Sequence, residues 1–285
     1  MSYRHDLVSV EALRARIAAL EGTWQHATAN DIDRRQSALP AAPFGLAPVD
    51  RVLPWNGLPT ACLHELTAAA PVDGSAAGFV AIVLARLGEA EGARPRSVLW
   101  CAPGNGLYGP GLAGYGLDTR RLVLVRGRSQ ADLLWAMEEG LRSGAVAAVV
   151  GEVQDADLTA TRRLQLAAEA GRSTALLLRT SRQKPGEGKS APSAAVTAWR
   201  IAAAPSAPAP YGIGVGAERW RVELVRCRGG VPRQWLLEWN DETHRLVMAS
   251  ELRDRPAQAP AGRPTVRGRD SSVPFPLRQG ERLAV

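Results

Sequence analysis

Lysine is almost missing from this sequence: of 35 basic residues only Lys184 and Lys189 are lysine, and the rest are arginine. With alanine spread through every segment, that usage fits a GC-rich coding bias better than a functional signal. The formal charge is still +7, which admits nucleic-acid or acidic-protein partners without choosing between them. Cysteine is scarce too. Cys62, Cys101 and Cys227 are scattered, with no C-x-x-C and no Cys/His ligand spacing, and His5, His26, His64 and His244 form no ligand pair. That excludes the usual zinc patterns, so no metal is expected. Cys62 and Cys101 lie in apolar runs and read as buried free thiols. No apolar run is long enough to span a bilayer, and no charged-then-apolar leader opens the chain, so no membrane contact is expected and a cytoplasmic location is.

What the sequence does contain is a long alternation of buried strands and helices. Hydrophobic residues make up 46% of 285 residues, enough for a sizeable core. Leu7, Val10, Leu13, Ile17 and Leu20 recur at helical spacing, so residues 1–27 are expected to hold an amphipathic helix whose stripe is a candidate partner surface. Residues 28–44 are polar and Pro/Ala-rich and read as a linker at the start of a core domain over 28–250. Strands are expected at Ala61–Thr67, Arg96–Cys101, Leu122–Val125, Ala145–Val150 and Thr174–Leu178. Helices are expected through Leu87, from Ser129 to Arg142, and from Asp155 or Asp157 to Gly171, where glycine would take a left-handed cap. This rhythm predicts an α/β fold with a mostly parallel central sheet flanked by helices.

The character changes after Arg179. The stretch 181–193 has no apolar periodicity and reads as a loop. Three further runs, Ala195–Ile201, Trp220–Cys227 and Gln234–Trp239, read as strands. The second alternates Trp220, Val222 and Leu224 against Arg221 and Glu223, and Gly229-Gly230 turns it into the third, which predicts antiparallel C-terminal strands. Trp55, Trp100, Trp235 and Trp239 read as core residues. Residues 251–285 carry seven arginines among many prolines and read as a disordered tail.

Chemistry would be sought between the first strand and its helix. A phosphate-binding loop reads G-x-x-x-x-G-K-[ST], where backbone N–H groups and the lysine hold phosphates and the hydroxyl holds Mg²⁺. The eight positions here are Ala69-Ala70-Pro71-Val72-Asp73-Gly74-Ser75-Ala76. Ala69 replaces the first glycine, Ser75 the lysine and Ala76 the hydroxyl residue, and only Gly74 fits. Pro71 removes an N–H and Asp73 adds a repelling charge. The frame of a nucleotide site is there without its chemistry.

Several stretches resemble the RecA core. Leu46, Val49-Asp50, Leu53 and Gly57-Leu58-Pro59, running up to Glu65, are similar to the lead-in of RecA-type ATPases. Residues 113–118 resemble the turn before their third strand, and residues 142–152 the segment carrying the Mg²⁺-binding aspartate. That aspartate falls at Gly151, with Glu152 one step beyond, and no carboxylate lies near Pro103–Asn105 to activate water. With the N-terminal helix and the Arg/Pro tail, this pattern resembles the ImuA family of RecA/SulA-like proteins in SOS mutagenesis. The resemblance implies a non-catalytic accessory subunit of error-prone translesion synthesis, without cofactor. Its implied partners are an ImuB-type inactive Y-family polymerase and an error-prone DnaE-type polymerase, with RecA a further candidate. Alternative readings are an ATP-binding protein, a SulA-like cell-division inhibitor, or a weak binder of single-stranded DNA. For DNA or partner contact the candidates are Arg179, Arg182, Lys184 and Lys189 in the loop and Arg253, Arg255, Arg263, Arg267 and Arg269 in the tail.

Overall fold

The computed structural model describes residues 39–68, 74–92, 95–104, 106–179, 192–206 and 214–249. The stripe Leu7 to Leu20, the position Ala69, the loop residues Arg182, Lys184 and Lys189, and the tail arginines lie outside them. Nine strands form one sheet: β3 (Leu63–Ala68), β4 (Ser97–Ala102), β5 (Leu122–Arg126), β6 (Val146–Val153), β7 (Thr174–Arg179), β8 (Thr197–Ala204), β9 (Arg219–Cys227), β10 (Arg233–Asn240) and β11 (Arg245–Met248). A two-residue pair, β1 (Ala41–Ala42) with β2 (Leu58–Pro59), stands apart. The helices are α1 (Ala47–Asp50), α2 (Ser75–Ala90), α3 (Gly109–Gly114), α4 (Gln130–Arg142) and α5 (Leu158–Gly171). Among the described residues no helix is long and apolar enough to cross a membrane.

The strand order is β11-β10-β9-β8-β3-β7-β6-β4-β5. All pairings from β8 to β5 are parallel, and those from β8 to β11 are antiparallel. The fold is therefore α/β, with a large, mostly parallel mixed sheet between helices. The first of the three late runs, β8, joins the parallel half by pairing with β3. The hairpin at Gly229 (φ 73°) forms as the sequence implies, with Trp235 opposite Val222. The strand β11 was not expected, because Arg245-Leu-Val-Met offers only four residues and one buried side chain, Leu246, to a periodicity search.

Alternation within each strand divides the core. Leu66, Trp100, Val150, Leu176 and Leu178 pack against α2 on one face, together with Phe44, Trp199 and the tryptophans of the antiparallel half. Leu63, Val149, Val153 and Leu177 pack against α4 and α5 on the other. Trp55, Trp100, Trp235 and Trp239 are all buried, as expected. The lead-in is held by Asp50, whose carboxylate accepts the N–H groups of Phe44 (2.8 Å) and Leu46 (3.0 Å).

Local signals fix the helix ends. Ser129 and Asp132 form a reciprocal capping box at α4. Asp157, rather than Asp155, caps α5 by accepting from Ala160 N at 2.7 Å. The α5 terminus corrects one expectation. The helix does end at Gly171, but the left-handed residue is Arg172 (φ 51°). Glycine is required at 171 for a different reason: a Cβ there would lie 1.7 Å from the carbonyl oxygen of Leu141 at the end of α4.

A polar chain crosses the apolar core beside β3. Trp199 Nε1 donates to Thr197 Oγ1 at 2.7 Å, and Thr197 Oγ1 lies 2.7 Å from His64 Nδ1. His64 Nε2 lies 2.8 Å from the Pro59 carbonyl, to which only a protonated nitrogen can donate. The chain is therefore complete with a neutral imidazole, the Thr197 hydroxyl donating to Nδ1. Burial pushes the His64 pKa down from 6.5 to about 4.

Candidate functional site

The C-terminal ends of β3, β4, β6 and β7 meet where a nucleotide site would stand, since ligands of open parallel sheets bind at that edge. The chain leaves β3 at Ala68 and re-enters the described structure at Gly74, the N-cap of α2, which has ordinary helical backbone (φ −64°) and no side-chain cap. Ser75 opens the helix, and Ala76 is buried in the core cluster at 1% exposure. At the position that would carry the Mg²⁺-holding hydroxyl there is a packed methyl group.

The aspartate position is filled by a neighbouring side chain. A Cβ on Gly151 would lie 2.0 Å from Sδ, 2.7 Å from Cε and 2.9 Å from Cγ of Met137. Met137 itself is fully buried on α4. A side chain at 151 therefore has no room unless Met137 moves. Glu152, the next residue, points to the opposite face. Its Oε1 accepts the indole N–H of Trp100 at 2.8 Å. Burial raises the Glu152 pKa, and the hydrogen bond from Trp100 partly offsets the rise. The carboxylate is thus the acceptor for an indole that is itself fully buried. Of the stretch Pro103–Asn105, Pro103 and Gly104 are exposed and Asn105 lies outside the described residues.

On the α4/α5 face a second acid is satisfied internally. Arg179, the last residue of β7, places Nη2 2.7 Å from Glu65 Oε1 and 3.0 Å from the Ala156 carbonyl. The two side chains are only 15% and 6% exposed. Arg179, a candidate for nucleic-acid contact, stands instead as the counter-ion of a carboxylate in the middle of the sheet. Sequence reading missed this pair, although a glutamate inside Cys62-Leu-His-Glu-Leu66 was a signal, because an acid in a buried strand must find a donor. The Trp100–Glu152 and Met137–Gly151 contacts join residues far apart in the chain, and nothing local announces them.

Cys62 and Cys101 behave as expected. All three are buried free thiols, and burial pushes the Cys62 and Cys101 thiols up, away from the reactive thiolate. Among the described residues no group of three His, Cys, Asp or Glu side chains could hold a metal ion. Taken together, the strand ends offer one carboxylate bonded to an indole, one bonded to a guanidinium, and two positions closed by packing.

No family model matches the sequence. Protein ImuA from Caulobacter vibrioides (strain NA1000 / CB15N) is 40% identical over 237 residues, covering 79% of this chain and 95% of the relative. Protein ImuA of strain ATCC 19089 / CIP 103742 / CB 15 gives the same figures. Among solved structures, SulA from Pseudomonas aeruginosa is 27% identical, covering 42% of this chain and 98% of its own, at a TM-score of 0.37. That superposition is too partial to bear on fold or function.

Proposed function

The chain belongs to the ImuA family, and from that premise we propose that it serves the bacterial DNA-damage response as a non-catalytic, RecA-like accessory subunit of error-prone translesion synthesis. It works through protein contacts, with an ImuB-type inactive Y-family polymerase and an error-prone DnaE-type polymerase as its partners. The observation that carries the non-catalytic part is the closed position at Gly151. Met137 fills the space an Mg²⁺-binding aspartate would need, and the neighbouring Glu152 is bonded to Trp100 on the other face. Ala76 in the core supports the same reading, since no hydroxyl is available there. The mostly parallel sheet between flanking helices is compatible with the RecA-like reading, and a sheet of this kind has edges at which another protein can dock.

Two measurements test this together. Titration calorimetry with ATP and Mg²⁺ should give no saturable heat, and the purified ImuB-type and DnaE-type polymerases of the same organism should bind the immobilised chain. Brisk nucleoside triphosphate hydrolysis that depends on Ser75 or Glu152 would refute the non-catalytic reading. Failure of both polymerases to bind would refute the adaptor reading.

A further inference from the structure

The two edges of the sheet differ. At one, β11 is short, and Arg245 is tied back to Glu89 of α2 at 2.8 Å. At the other, β5 is paired on one side only among the described residues, with Leu124 beside Trp100 and Val123 beside Leu99 of β4. Proteins usually blunt a free edge with lysine, proline, a bulge or an inward charge. Here the strand reads Leu122-Val-Leu-Val-Arg126, with no proline or lysine, and its one charge is Arg126 at the C-terminal end. Val123 is 49% and Leu124 52% exposed. Leu122 packs with the α2-side core and Val125 with the α4 side, so both faces of the strand are apolar out to its edge.

Beside Leu124 lies a slot of about 110 Å³ lined by Trp100, Ala102, Gly104, Leu107 and Arg126. Its wall is the indole that Glu152 holds in place. The charges along the strand are asymmetric. At its start Arg120 and Arg121 are both bonded to Asp118. At its end Arg126 and Arg128 are exposed, and neither side chain has an ion-pair partner among the described residues. An extended peptide of alternating apolar residues would complete the edge, place one aliphatic side chain in the slot, and meet these two guanidiniums with a carboxylate.

We propose that the free edge of β5 is a docking strand, to which a partner protein adds an extended segment, apolar at alternate positions and acidic beside Arg126 and Arg128. This rests on the adaptor reading above, and the ImuB-type polymerase relative is the partner to be probed. The full-length chain and its variants Val123→Lys and Leu124→Lys are immobilised and titrated with the purified ImuB-type protein. Amide hydrogen exchange of residues 122–126 is followed with and without it. Each lysine variant should weaken binding at least tenfold, and the 122–126 amides of the native chain should exchange at least tenfold more slowly in the complex. The charge-reversed double variant Arg126→Glu/Arg128→Glu should also lose at least tenfold. It decides the matter should a lysine variant prove unfolded by circular dichroism.

Native binding to the partner with undiminished affinity in the folded variants, or with unchanged exchange at 122–126, overturns the docking strand and leaves the adaptor reading intact. No binding of the ImuB-type protein by the native chain overturns the docking strand, and the adaptor reading falls with it only if the DnaE-type polymerase also fails to bind. Self-association of the native chain in sedimentation, lost in Leu124→Lys while partner binding is unchanged, assigns the edge to a second copy and overturns the proposal.

Discussion

Replacing Gly151 by alanine adds one methyl group where the sheet and α4 leave none. The new Cβ would lie 2.0 Å from Met137 Sδ, about half an ordinary carbon–sulfur contact, and Met137 is fully buried, so it cannot swing to solvent. Overpacking of a tight core costs about 1–3 kcal/mol. For a domain of this size that lowers the melting temperature by roughly 2–12 °C. Gly151→Asp adds the desolvation of a carboxylate and should cost several kcal/mol at neutral pH. Met137→Ala alone should cost about 2–5 kcal/mol through the cavity it leaves. The two changes share one space, so the double variant Gly151→Ala/Met137→Ala should be more stable than additivity predicts by about 0.5–3 kcal/mol. Urea unfolding of the native chain, Gly151→Ala, Met137→Ala and their double variant measures that coupling, and calorimetry with ATP and Mg²⁺ should stay flat for these four and for Gly151→Asp. A Gly151→Ala midpoint equal to that of the native chain, or an additive double variant, would show that the position is not closed by Met137.

Other perturbations follow from contacts at the same sheet. Acidification should weaken the fold through His64, because its folded pKa of about 4 lies below its ordinary 6.5. The unfolded chain then binds more protons between those values, so this contribution is complete above about pH 6.5 and is lost as pH falls toward 4. The gap corresponds to roughly 3 kcal/mol. His64→Gln should flatten that part of the stability profile, and parallel profiles would refute the assignment. Arg179→Ala should destabilise by about 3–5 kcal/mol by stranding the Glu65 carboxylate, while Glu65→Leu/Arg179→Met should recover most of the loss in thermal unfolding. Gly171→Ala should be costlier than Gly151→Ala, since its Cβ meets a backbone carbonyl rather than a side chain; equal melting temperatures would contradict this.

The parallel half of the sheet was legible because Ala145–Val150 and Ala175–Leu178 are unbroken apolar runs, the pattern of strands covered on both faces. The hairpin was legible from Trp220, Val222 and Leu224 alternating ahead of two glycines, and α4 from Ser129 and its apolar spacing. Legibility failed where the cause lies across the chain. Gly151 read as an aspartate lost, and only the packing of α4 shows that the position is filled by Met137. Arg179 read as the start of a basic loop, because its partner Glu65 stands 114 residues away. Gly171 was understood as a turn residue, while the collision that requires it comes from Leu141 on another helix. The β11 strand was too short to carry a period.

The flush contact between Gly171 and the Leu141 carbonyl makes α4 and α5 a single plate. Backbone rests on backbone there, and the buried carboxylate of Glu138 pairs with Arg142 of its own helix and Arg163 of the other. A residue larger than glycine at 171 would force the two helices apart. A displacement of α4 relative to α5 would therefore disturb the Gly171 contact and the Glu138–Arg163 pair together.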